Sequence, residues 1–168
     1  MKKVIILGSS RSEGNTRALV HYLQSLGDFD LIDLKHYDIS PYDYEHKNQG
    51  DDFLPLMRKL VAYELIVFAT PIYWYSMSGI MKNFFDRITD CLKIEKELGR
   101  RLRGKSMAAF CCGSDAEEVS GFFLPFEQSA GYLGMNYLGD VHAWMDHEEI
   151  EESVRNRLDR FAKALMDA

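Results

Sequence analysis

Three short stretches of this chain concentrate side chains with chemistry to offer. The first is Ser9-Ser10-Arg11-Ser12-Glu13-Gly14-Asn15-Thr16, where four hydroxyls, an amide and a guanidinium surround a glycine. Many hydrogen-bond donors with little added charge suit a terminal phosphate, and a helix starting here would aim its backbone N–H groups at the same place. No Lys follows Gly14, so this is not the G-x-x-x-x-G-K-[ST] loop of nucleoside triphosphate sites. Nor does it read G-x-G-x-x-G, which disfavours a Rossmann dinucleotide site. The competing reading is a surface turn with Asn15 or Thr16 as helix cap. The second stretch is Thr70-Pro71-Ile72-Tyr73-Trp74-Tyr75-Ser76. Three adjacent aromatics there are either core or the wall of a site for something flat. The third, Gly113-Ser114-Asp115-Ala116, offers close backbone approach at Gly113 and a hydroxyl at Ser114.

The elements between these stretches alternate. Val4–Leu7, Leu65–Ala69 and Ser106–Cys112 are short apolar runs typical of strands covered on both faces. Phe29–Leu34 alternates apolar and acidic residues like an outer strand, and Met135–Ala143 reads as a final strand. Helical spacing appears in Leu19, Val20, Leu23 and Leu26, with Gly27 as a stop. It returns in Phe53, Leu56, Met57, Leu60 and Val61, with Asp51 or Asp52 as cap and Pro55 in the first turn. From Ser78, the residues Met77, Ile80, Met81, Phe84, Phe85 and Ile88 share one helical face, leaving Lys82, Asp86 and Arg87 available to solvent. Phe122–Leu133 is a weaker helix, and Ile150, Val154, Leu158, Phe161 and Leu165 stripe the last one. Residues 35–50 lack periodicity and read as loop. Five strand–helix alternations imply a parallel α/β sheet with helices on both faces, in one domain spanning 1–168. Ligands of such sheets bind beyond the strand carboxyl ends, where the three stretches converge. A phosphate site beside a planar-ring site describes a mononucleotide, for which FMN is the natural candidate.

Composition narrows the alternatives. With 20 basic and 26 acidic residues the net charge is −6, which argues against nucleic acid as a partner. The local basic run Arg100-Arg101-Leu102-Arg103-Gly104-Lys105 reads as a solvated loop before a strand, with a cofactor-phosphate contact as the lesser alternative. No apolar run approaches the ~20 residues that span a bilayer, so no membrane partner is expected. Three Cys, two of them adjacent, make no disulfide framework and point to a reducing compartment, the cytoplasm.

Two motifs carry a family resemblance. Gly8-Ser9-Ser10-Arg11-Ser12-Glu13-Gly14-Asn15-Thr16 is similar to a G-S-x-R-x-x-x-N-T phosphate loop, and TPIYWYSMSGIMKNFFDR (70–87) to a P-x-Y-x-x-x-x-S-x-x-x-K-x-x-x-D-R signature. The chain thereby resembles the flavodoxin-like NAD(P)H-dependent FMN reductase / quinone reductase family, from Val4 to the last helix. The resemblance implies a three-layer α/β sandwich with a five-stranded parallel sheet in the order 2-1-3-4-5. It further implies that FMN takes hydride from NAD(P)H and reduces a small-molecule electron acceptor: a quinone, nitro compound, azo compound or flavin. A flavodoxin-type FMN electron carrier, without NAD(P)H oxidation of its own, is the alternative. Ser9, Arg11, Ser12, Asn15 and Thr16 would hold the phosphate; Pro71, Ile72, Tyr73 and Trp74 would contact the ring; Gly113 and Ser114 would lie on its other side. The flavin is the reacting group, so no catalytic acid–base triad is expected, and Lys82 and Arg87 of the signature would be structural, in surface or ion-pair roles. Relatives with this signature often carry an iron–sulfur cysteine cluster between the second strand and second helix. Here residues 39–48 contain no Cys, so no such cluster and no metal is expected. In that loop, Tyr42 and Tyr44 would pack over the flavin or across a dimer interface, and His46 would be solvated. A homodimer is the family expectation.

Overall fold

The computed structural model describes residues 1–146 and 149–168. Its strands are β1 (Lys3–Leu7), β2 (Asp30–Asp33), β3 (Leu65–Tyr73), β4 (Ser76–Met77), β5 (Ser106–Gly113) and β6 (Asn136–Trp144). Its helices are α1 (Asn15–Leu26), α2 (Phe53–Leu60), α3 (Gly79–Lys93), α4 (Lys96–Arg100), α5 (Leu124–Leu133) and α6 (Glu152–Asp167), with a single 3₁₀ turn at Leu34–His36. The sheet runs β2-β1-β3-β5-β6 with every neighbour parallel, and β4 folds back antiparallel onto the end of β3. This is the three-layer flavodoxin-like sandwich and strand order expected above, the inserted β4 shifting the later labels by one.

Strand side chains alternate between faces, so each strand feeds two cores. Val4 and Ile6 of β1, Ile66 and Phe68 of β3, and Met107, Ala109 and Cys111 of β5 meet α2, α3 and α5. The intervening Ile5, Leu7, Val67, Ala69, Ala108 and Phe110 meet α1 and α6. That two-sided burial is why these runs are uninterruptedly apolar.

The third cross-over is tied to the first at one buried junction. Ser78 caps α3, its Oγ accepting from the Met81 N–H at 3.1 Å, and the same hydroxyl donates to the Gly8 carbonyl at 2.6 Å. The Ser78 N–H donates to Thr70 Oγ1 at 3.0 Å. Helix α3 thus sits directly on the end of β1. A Cβ at Gly8 would come 2.7 Å from Met81 Cε and 2.8 Å from its Cβ, so this approach requires glycine.

Arg87 departs from the sequence expectation. Rather than facing solvent it is fully buried. Its guanidinium lies 4.8 Å from the centre of the Phe53 ring and forms ion pairs with Asp51 and with Asp90, the latter at 2.9 Å. It also donates to the carbonyls of Ser40 and Asn48, each at 2.9 Å. His46 donates from Nδ1 to Asp90 at 2.7 Å, and the Asn83 amide donates to the Ile39 carbonyl at 2.7 Å. The long segment between β2 and α2 is therefore not a free loop, and His46 is partly buried instead of fully solvated; both are held down by charges from α3. Tyr42 and Tyr44 meet edge to face beside this network, at a ring separation of 5.1 Å. Sequence spacing missed Arg87 because helical periodicity marks polar residues as outward-facing. It cannot anticipate a polar loop folding back over that face. The basic run falls at α4 and the turn after it, leading into the amino end of β5, and Lys105 Nζ donates to the Tyr63 carbonyl at 2.7 Å.

Burial alone would raise the Asp51 carboxyl, but hydrogen bonds from Arg87 and from the Phe53 and Ser40 N–H groups outweigh it and hold it below the usual carboxylate range. A depressed folded-state pKa contributes stability above the unfolded value of about 3.9, lost as pH falls toward the folded pKa. Urea denaturation of the wild type should therefore show stability falling below about pH 5, more steeply than in Asp51→Asn. Arg87→Met strands two carboxylates in the interior and should cost about 3–5 kcal/mol at neutral pH in the same measurement.

Candidate functional site

At the carboxyl ends of β1, β3 and β5 lies a cleft of about 800 Å³. Ten of the eleven residues singled out from the sequence line it: Ser9, Arg11, Asn15, Thr16, Pro71, Ile72, Tyr73, Trp74, Gly113 and Ser114. Ser12 does not; its hydroxyl lies 3.5 Å from His36 Nε2, beyond the end of β2.

One end is rich in donors. Gly14 is the N-cap of α1 and no side chain caps the helix, which leaves its first-turn N–H groups without a side-chain partner. Neither Asn15 nor Thr16 plays the capping role considered above. Asn15 instead commits an amide hydrogen to the Met145 carbonyl at 2.7 Å, pinning the start of α1 to the end of β6. A Cβ at Gly14 would lie 3.6 Å from Arg11 Nε, which places the guanidinium over the same helix start. Ser9 and Thr16 are buried at the base. Behind them, burial pushes the Cys112 thiol up to about 11 against a hydrogen bond with Thr16, so it stays protonated and unreactive.

The aromatic stretch is not a loop following a strand that ends at Ala69. β3 continues to Tyr73, turns through Trp74 and Tyr75, and returns as β4, with Ile72 paired to Met77 and Tyr73 to Ser76. Pro71 therefore sits within a strand. It is tolerated because β1 ends opposite Ala69, so β3 has no ladder to keep on that side. Trp74 and Tyr75 both adopt positive φ, 49° and 63°. A two-residue hairpin turn with positive φ at both positions is the type I′ geometry, whose usual occupants are Asn and Gly. Two bulky rings there are strained, and such strain persists where function requires it. Exposure excludes the core reading posed by the sequence: Trp74 is 93% and Tyr75 75% exposed, and both line the cleft. Tyr73 shares a 2.9 Å hydrogen bond with Ser10, latching the hairpin to the donor-rich loop.

The third wall, Gly113 to Ser120, is acidic and went largely unread in the sequence because it lacks periodicity. Asp115, Glu117 and Glu118 line the same cleft as Arg11. The Asp115 carboxyl is held low by hydrogen bonds from the Glu117 N–H and the Ser114 hydroxyl, and Glu118 by one from Arg157. Tyr42 and Tyr44 line a separate groove along α3, away from this cleft. Among the described residues no group of three or more His, Cys, Asp or Glu is placed to hold a metal ion, and no helix is long and apolar enough to cross a membrane.

Residues 1–149 match the family model described as NADPH-dependent FMN reductase. The chain is 31% identical over 151 residues, 84% of its length and 83% of the relative's, to YwqN of Bacillus subtilis (strain 168), whose name describes an NAD(P)H-dependent FMN-containing oxidoreductase. It is 35% identical over 103 residues, 52% of each chain, to an FMN-dependent NADPH-azoreductase of Staphylococcus haemolyticus (strain JCSC1435). Its fold superposes on the Trp repressor binding protein from Bacillus subtilis with a TM-score of 0.77 at 24% identity, covering 98% of this chain and 97% of the other.

Replacing Trp74-Tyr75 by Asn-Gly should relieve the turn and raise stability by about 1–2 kcal/mol, read by urea denaturation of the ligand-free protein. A loss of stability would mean the rings are packed rather than strained.

Proposed function

Because the chain belongs to the NADPH-dependent FMN reductase family, we propose that this cleft is its FMN site and that the enzyme reduces quinone, nitro, azo or flavin acceptors there. The chain is an NAD(P)H-dependent FMN oxidoreductase. FMN supplies the redox chemistry, accepting hydride from NAD(P)H and releasing electrons to the acceptor.

The residues present fit that group. Ser9, Thr16, Arg11 and the uncapped start of α1 would take the phosphate, offering donors and one compact charge. Pro71 to Trp74 would lie against the ring, and Gly113 and Ser114 would approach from the other side. The observation that carries the reading is the strained, exposed Trp74-Tyr75 turn latched to the donor-rich loop. A protein keeps two unfavourable conformations and two solvated rings at a site mouth when something planar covers them. The same open mouth favours a turning-over enzyme over a dedicated electron carrier, since small acceptors need access to the ring.

A homodimer belongs to this proposal, supported by grooves along α3 bordered by the exposed Tyr44 and Tyr132. A cytoplasmic location does too, supported by the three free cysteines. Sedimentation at micromolar concentration should give twice the monomer mass; a monomer would remove the dimer from the proposal.

The purified protein should show a flavin spectrum, retained or after reconstitution, that bleaches on anaerobic addition of NADPH and recovers with a quinone. Binding without bleaching would favour the carrier, and no binding would remove the site. Arg11→Ala should weaken FMN binding about tenfold or more, as expected for a charge-assisted hydrogen bond. Ser12→Ala should leave it unchanged. The Asn-Gly replacement at 74–75 should lose FMN affinity while gaining stability.

A further inference from the structure

The acidic wall of the cleft is propped from behind by a histidine that does not itself line the cleft. We propose that His142 is a positioning residue for the cofactor, acting through the backbone carbonyl of Asp115. The proposal rests on the cleft being the FMN site.

His142 lies on β6 opposite Cys111 of β5 and is 5% exposed. A bulge decides which way it faces. Between the pairs Met107–Tyr137 and Ala109–Asp140, β6 carries one extra residue, accommodated by Gly139 at φ 107°. Strand side chains alternate, so in a regular strand Tyr137 and His142, five positions apart, would stand on opposite faces. With the bulge, His142 joins Cys111 on the α2–α3–α5 side, beneath the 113–119 wall.

Glycine at 113 makes room for the ring, since a Cβ there would lie 2.9 Å from His142 Cε1. His142 Nε2 is 2.9 Å from the Asp115 carbonyl oxygen. A carbonyl only accepts, so Nε2 carries the hydrogen and donates it. In the tautomer with its hydrogen on Nε2, the ring presents the Nδ1 lone pair to Cys111 Sγ at 3.3 Å. Burial pushes the Cys111 thiol up to about 12, so it keeps its hydrogen and donates to Nδ1. Cys111 thereby sets the tautomer that lets Nε2 hold the wall. Trp144 stacks on the imidazole at 28° and 5.9 Å, and Arg157 lies over Trp144 while donating to Glu118 at 2.8 Å. The ring is fixed on several sides, and its one bond to a cleft-forming loop falls between Ser114 and the acidic lip.

The test compares wild type with His142→Leu, His142→Gln, Cys111→Val and Cys111→Ser. FMN affinity is measured by fluorescence titration of the apoprotein, and amide hydrogen exchange is followed across residues 113–119 without FMN. His142→Leu should weaken FMN binding about tenfold and speed exchange of this segment by a similar factor, the loss of one buried hydrogen bond. His142→Gln, which still donates, should restore both. Wild-type behaviour of His142→Leu, or equal losses in Leu and Gln, would overturn the proposal. If His142→Leu does not fold, the cysteine pair decides: Val must weaken binding and speed exchange while Ser, still a donor, does neither. Indistinguishable Val and Ser variants would then overturn it. Should wild type fail to bind FMN, the cofactor reading fails by itself, and the exchange data still decide whether His142 holds the wall.

Discussion

The hydroxyl of Ser78 ties together the parts on which everything else depends. It caps α3, donates to the last carbonyl before the donor-rich loop, and belongs to a residue whose N–H is bonded to Thr70 within β3. All of this is inaccessible to water, so each bond also satisfies a group that would otherwise be stranded. The consequence is geometric. The loop after β1 and the hairpin after β3 belong to different cross-overs, yet one buried side chain fixes their relative position across a sequence separation of 70 from Gly8 to Ser78. The outer latch between Ser10 and Tyr73 repeats the same connection at the cleft mouth.

The cleft is polarised and partly strained. A guanidinium, an uncapped helix start, three carboxylates and two rings in left-handed backbone conformation share its lining. The strained rings are exposed, so the core does not hold them in place; the short β3–β4 pairing does, backed by Met77 and the α3 cap. Stability elsewhere underwrites a local arrangement that hairpin chemistry alone would not choose.

The Arg87 network shows the same logic on the far side of α3. A fully buried guanidinium with two carboxylates, a histidine and two backbone carbonyls gathers a segment of irregular chain that has little apolar surface to bury. Ionic networks of this kind specify one arrangement, and the cost of breaking them exceeds what they add in net stability. Asp90 is further satisfied by the hydrogen bond from His46, and the burial of Arg87 is offset by the aromatic face of Phe53.

The amino-acid sequence by itself determined the number and order of the main elements, because hydrophobic period reports burial on one or two faces. Val4–Leu7, Leu65–Ala69 and the stripe from Met77 to Ile88 announced their partners before any contact was known. It also determined which loops would meet, because a parallel sheet sends every β-to-α connection to the same edge. Only the tertiary structure decided what the polar and aromatic residues do. Arg87 turned inward, Ser12 left the cleft, Asn15 was spent on Met145, and Tyr73 became strand instead of loop. His142 acquired its partners through a one-residue bulge. Apolar side chains need only be removed from water, and a periodic pattern encodes that. Hydrogen bonds and ion pairs are directional and short, so their partners exist only once distant segments have been brought to within a few ångströms.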